Sequence, residues 1–181
     1  MILFFTALII LIFGSFVFQL FLLPVIFLHG AAILFVPSIY FYGCLSLPFP
    51  LMLTLTFATG LLNDLFLISR DSHLDFTVGT SILTYLVPGL IMHGFRPLFL
   101  QHRWEIHYLL AEICALLTPF LLLIEYAILS FQRSEIFLSD VIIWRIFGPG
   151  LISLVIAPCV FFILSPLSYA LRYRPGLPGS R

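Results

Sequence analysis

The chain has 181 residues, of which 62% are hydrophobic and 9% charged, and its mean hydropathy is +1.19. Soluble domains carry roughly 25% charged residues, so a soluble core with a polar shell is excluded. The formal net charge is zero and lysine is absent, which leaves no electrostatic case for nucleic acid or an acidic substrate.

Apolar runs of about 20 residues, the length needed to cross a bilayer, recur along the whole chain. The first, MILFFTALIILIFGSFVFQLFLLP, has no basic flank and no small-x-small cleavage site after it. It reads as a membrane span rather than a signal peptide. Helices are predicted over 2–23, 25–46, 49–69, 75–95, 106–130 and 141–166. They form one transmembrane domain over 1–168 with a short tail over 169–181. The fold class expected is all-α, a polytopic six-helix bundle. Pro24 separates the first two spans, and Pro48 and Pro50 separate the second from the third. Connections this short force antiparallel hairpins. The longer polar connections SRDSHLD, RPLFLQHRWE and FQRSEIFLSD leave no room for a soluble domain.

The first charged side chain of the sequence is Asp64, within the third span, in FATGLLNDLFLI. A central Asp costs roughly 2.5–3.5 kcal/mol on insertion, and each Leu, Ile or Phe returns roughly 0.3–0.6 kcal/mol. The helix therefore inserts, and the carboxylate needs a reason to be there. Thr56, Gly60 and Asp64 share one helix face, flanked by Thr59 and Asn63, and the next span carries Thr77, Thr80, Ser81 and Thr84. In an antiparallel hairpin Asp64 should lie near Thr77, Thr80 or Ser81, with Gly60 allowing close approach. Two roles stay open: hydrogen-bonded packing between helices, or a ligand for an ion, a substrate or a partner.

Other polar residues within spans are His29, Glu112, Glu125 and Arg145. Glu112 and Glu125 point to different faces of one helix and do not form an acid–base pair by themselves. His102, Glu105 and His107 begin in a loop and lack the HExxH spacing of a metal site. Cys44, Cys114 and Cys159 lack metal-type spacing and read as small buried hydrophobes. No nucleophile elbow or paired intramembrane aspartate accompanies Asp64. Neither catalysis nor a cofactor is expected.

FATGLLNDLF followed by VGTSILTYLV resembles the central motif of the rod-shape-determining MreD family. That family shows Gly-x-x-x-Asp-Leu on one span, a Gly shortly after, and an aromatic at a Tyr-Leu on the next. The matching positions are Gly60, Asp64, Leu65, Gly79, Tyr85 and Leu86. FVPSIYFYGCLSLPFP resembles the family's second span, and FGPGLISLVIAPCVFFIL has the spaced prolines of its last. The segment LFLISRDSHLDFTVG departs from the family's short Ser-Gly-x-x-Leu-Gly connection, being longer and charged. The resemblance implies a non-catalytic bacterial inner-membrane component of the elongation machinery that supports peptidoglycan synthesis. Its expected partners are an MreC-like bitopic protein and, through it, the MreB filament and the wall-synthesis enzymes. It also implies a bundle similar to the S components of energy-coupling-factor vitamin transporters, which is the alternative function.

Arginines near span ends are retained on the cytoplasmic side. With six spans, one side holds Arg96, Arg103, Arg172, Arg174 and Arg181, and the other Arg70 and Arg133, with Arg145 just inside the last span. Both termini are therefore expected in the cytoplasm. A cysteine placed at Ser72 should react with an impermeant thiol reagent in intact spheroplasts, and one at Ser180 should stay unlabelled. The reverse pattern would invert the topology.

Overall fold

The computed structural model describes residues 2–22, 31–70, 79–101, 103–133 and 140–171. Within these, the side chains of 67–70, 104, 129, 132–133, 140–141 and 169 are not described. The described residues are helical throughout apart from short connections: α1 (Ile2–Phe21), α2 (Val36–Ser46), α3 (Phe49–Arg70), α4 (Thr80–Gly94), α5 (Arg96–Phe99), α6 (Trp104–Arg133) and α7 (Asp140–Ala170). Among them α1, α3, α6 and α7 each contain a stretch long and apolar enough to cross a membrane. The protein is thus a membrane-embedded helical bundle. Large apolar side chains on these helices, such as Phe21, Val155 and Phe162, are exposed, as lipid-facing residues must be.

The second and fourth helices are shorter than predicted. The helix expected over 25–46 begins at Val36, and residues 32–35 before it are irregular. Residues 23–30 lie outside the described residues. Pro37 accounts for this start. A proline inside a helix would lack the N–H for the carbonyl four residues back and would clash with it, whereas in the first turn that N–H is not needed. The helix expected over 75–95 begins at Thr80, after Gly79, whose φ of 109° lies in the left-handed region that glycine tolerates. Residues 75–78 again lie outside the described part. The helices expected over 106–130 and 141–166 each extend a few residues further at both ends, and the loop between α4 and α6 contains the single turn α5.

α2 forms the axis of the bundle. All its residues are buried, and α1, α3, α4, α5, α6 and α7 all pack on it. Tyr42 meets Phe99 and Phe161 edge-on, with centroids 5.6 and 5.2 Å away. On its other side Tyr40 is wholly buried, and its hydroxyl lies 2.9 Å from the Tyr85 carbonyl and 2.8 Å from Thr56 Oγ1. A carbonyl can only accept, so the bond to Tyr85 takes the single Tyr40 proton, while the Thr56 hydroxyl proton is shared between Tyr40 and the Met52 carbonyl 2.9 Å away. The bond links α2, α3 and α4 at one point.

Prolines leave carbonyls without their helical donor, and neighbouring helices respond. Pro48 cannot donate to the Cys44 carbonyl at the end of α2; His93 of α4 lies 2.7 Å from that oxygen through Nδ1. Its Nδ1 must therefore carry the proton. Pro119 of α6 frees the Ala115 carbonyl, and Gly150 of α7 packs against both. A Cβ on Gly150 would stand 2.8 Å from the Pro119 ring.

Two further glycines set helix separations. A Cβ on Gly60 would lie 2.6 Å from the Ile82 Cα, so the α3 and α4 backbones touch. A Cβ on Gly89 would run into the Tyr40 hydroxyl. Gly60→Ala must displace backbone rather than a side-chain tip, which costs about 1–3 kcal/mol. Thermal unfolding in detergent should show Gly60→Ala and Gly89→Ala clearly destabilised, and Gly14→Ala, which meets nothing within 4 Å, unchanged.

Candidate functional site

Asp64 stands at the contact between α3 and α4, fully buried. Gly79 N–H donates to its Oδ2 at 2.6 Å and Ser81 N–H to its Oδ1 at 3.2 Å. The first N–H groups of a helix have no partner within it, and α4 has no capping bond from its own preceding side chain. Asp64 supplies that cap from the neighbouring helix. Its negative charge faces the positive end of the α4 dipole.

The surrounding motif residues serve the same junction. Asn63 Nδ2 donates to Ser81 Oγ at 2.9 Å, so the Ser81 hydroxyl is bound by Asn63 and its amide by Asp64. Gly60 lets the helices approach one turn below. Thr80 contributes its carbonyl to Thr84 Oγ1 at 3.1 Å. Tyr85 is 4% exposed and stands edge-on to Tyr40 at 5.2 Å. Leu65 points outward, 63% exposed. Thr77 lies outside the described residues. Asp64 thus meets the backbone amides of Gly79 and Ser81, and of its expected neighbours Ser81 is joined to it through the main chain.

A second junction follows the same plan. The N-terminus of α2 also has no capping bond from its own N-cap side chain. With the Gln19 amide oriented so that its oxygen faces them, Phe35 N–H and Val36 N–H donate to it at 2.7 and 3.3 Å. Gln19 of α1 thereby does for α2 what Asp64 of α3 does for α4. It was not singled out in the sequence; the available signal was a lone amide near the end of an apolar span.

Between these junctions lies a cavity of about 620 Å³, within the range of roughly 300–1,000 Å³ typical of small-molecule sites. Gln19, Asn63, Tyr85, Glu125 and Arg145 supply its polar lining; Phe16, Leu34, Phe66, Leu121 and Leu122 are among its apolar walls. Glu125 is half-buried and close to Asn63 and Asp64. Asn63 and Glu125 lie in the last third of α3 and α6, Arg145 in the first two turns of α7 and Gln19 near the end of α1. The cavity therefore lies toward one end of the bundle.

The other polar candidates do not join this cluster. Glu112 is half-buried on α6 and does not line the cavity. Glu105 pairs with Arg103 at 4.0 Å on the surface, and His107 Nδ1 lies 3.1 Å from the Arg103 carbonyl. His102 and His29 lie outside the described residues, among which no metal-type cluster of His, Cys, Asp and Glu occurs. Cys44 and Cys114 are buried and Cys159 is exposed.

The arrangement can bind and hold. Comparison with protein-family models, curated proteins and solved structures returns no match.

The cap sets the ranking of Asp64 variants. Asp64→Asn keeps one acceptor and loses the second with the charge, at about 1 kcal/mol. Asp64→Leu orphans both buried amides, each costing about 1–3 kcal/mol. Membrane abundance and melting in detergent should rank wild type, then Asn, then Leu. Equal loss for Asn and Leu would mean that the charge matters and the acceptor count does not.

Proposed function

We propose that the chain is a non-catalytic component of the bacterial cell-elongation machinery, an MreD-like protein of the inner membrane that binds an MreC-like bitopic partner. Through that partner it would act with the MreB filament and the wall-synthesis enzymes. The observation that carries this reading is the α3–α4 unit. Gly60, Asp64, Gly79 and Tyr85, on which the family resemblance rests, meet there in one junction.

The outer surface of the same unit suits a partner helix. Leu61 and Leu65 project from α3, and Leu83, Val87 and Leu90 from α4, all exposed. Each set repeats at helical spacing and forms an exposed apolar ridge against which a single span could pack. The fold reading that goes with this function has six crossings. The short α2 and α4 would be the second and fourth, both termini would be cytoplasmic, and the bundle would resemble transporter S components.

The protein, purified in mild detergents from cells expressing its genomic neighbours, should retain an MreC-like bitopic protein. Depletion should turn rods into round cells. Loss of the partner in every detergent, together with a thermal shift on adding a vitamin-like metabolite, would instead make it a transporter substrate-binding subunit.

A further inference from the structure

Glu125, half-buried, and Arg145, exposed, are opposite charges toward one end of the bundle that have no ionic partner among the described residues. Among the described residues the ion pair formed is Arg103 with Glu105; Glu125 and Arg145 line one cavity without pairing. Asp64 forms no ion pair with Arg145 among the described residues, its oxygens accepting from the α4 amides. Single charges inside a membrane protein are expensive unless an opposite charge meets them, and they mark ligand sites by default.

We infer that this cavity binds an amphiphile whose head carries both an ammonium group and an anionic group. Glu125 takes the ammonium, and Arg145 takes the anion through its forked donors. Two neutral groups complete the head site. Asn63 donates one amide proton to Ser81 and keeps its carbonyl oxygen as an acceptor for ammonium protons. Gln19, whose oxygen caps α2, keeps its amide protons as donors for the anion. The apolar walls, including Phe16, Leu34, Phe66 and Leu122, take the hydrocarbon part. Toward the end of a membrane bundle the matching head is a phosphoethanolamine, present as an aminophospholipid or as a free soluble zwitterion. The inference stands apart from the elongation role: loss of partner binding would leave it intact.

Native mass spectrometry of the detergent-solubilised full chain provides the test. Dioleoylphosphatidylethanolamine should bind about tenfold more tightly than dioleoylphosphatidylglycerol, which has the phosphate without the ammonium; tenfold corresponds to 1.4 kcal/mol. Glu125→Gln should abolish that preference, and Arg145→Gln should weaken both lipids while Arg145→Lys retains binding. Glu112→Gln, on the same helix and away from the cavity, should behave as wild type. The arginine pair keeps the test decisive if Glu125→Gln fails to fold. Competition by soluble glycerophosphoethanolamine at similar strength would support the head chemistry and make the free zwitterion the occupant; its failure to compete would assign the lipid. Equal binding of the two lipids by wild type, or an undiminished preference in a folded Glu125→Gln, would overturn the inference.

Discussion

A backbone amide or carbonyl inside hydrocarbon has no water to bond, and each one left unpaired costs several kcal/mol. The fold depends on how that constraint is met. Two helices begin inside the bundle, and prolines open gaps in the helical ladders of α4, α6 and α7. Gln19 and Asp64 satisfy helix N-termini, and His93 satisfies the carbonyl released by Pro48. Covering these groups therefore also ties the helices together.

The same logic explains the clustering of polarity around α2 and α4. Tyr40 bonds to Thr56 and to the Tyr85 carbonyl, and Asn63 to Ser81. These polar contacts are few and short-range, embedded in a core otherwise made of Leu, Ile and Phe. Between lipid and protein interior apolar packing has little preference, so close contact and hydrogen bonds set which helix neighbours which. Gly60 and Gly89 permit the first, and Asp64 and Tyr40 supply the second.

Much of this was legible in the sequence. Length and apolar composition give the long helices α1, α3, α6 and α7, because a 20-residue apolar stretch has few other uses. The Gly60–Asp64 face and its meeting with residues near Ser81 follow from helical periodicity and from α4 being the next, antiparallel helix. The start of α2 is harder. An apolar run such as residues 25–36 looks the same whether helical or extended, and only Pro37 signals the break. Gln19, Glu125 and Arg145 could be seen as isolated polar residues, but their convergence on one cavity depends on inter-helix rotation. Sequence periodicity fixes which residues share a face, and says nothing of which face meets which. The nature of the Asp64 partners was hidden for another reason: a backbone amide is present at every position, so no residue type advertises it.

The enclosure of α2 has a consequence for biogenesis. A helix of 11 residues spans about 16 Å, roughly half the hydrocarbon thickness, so it cannot partition into lipid as an independent segment leaving the translocon. It becomes stable when Gln19 has already been inserted ahead of it and Thr56 and Tyr85 arrive behind it. The Tyr40 hydroxyl finds its carbonyl acceptor after the ribosome has passed α4. Insertion of α2 therefore depends on helices made both before and after it, and α6 and α7 complete its enclosure.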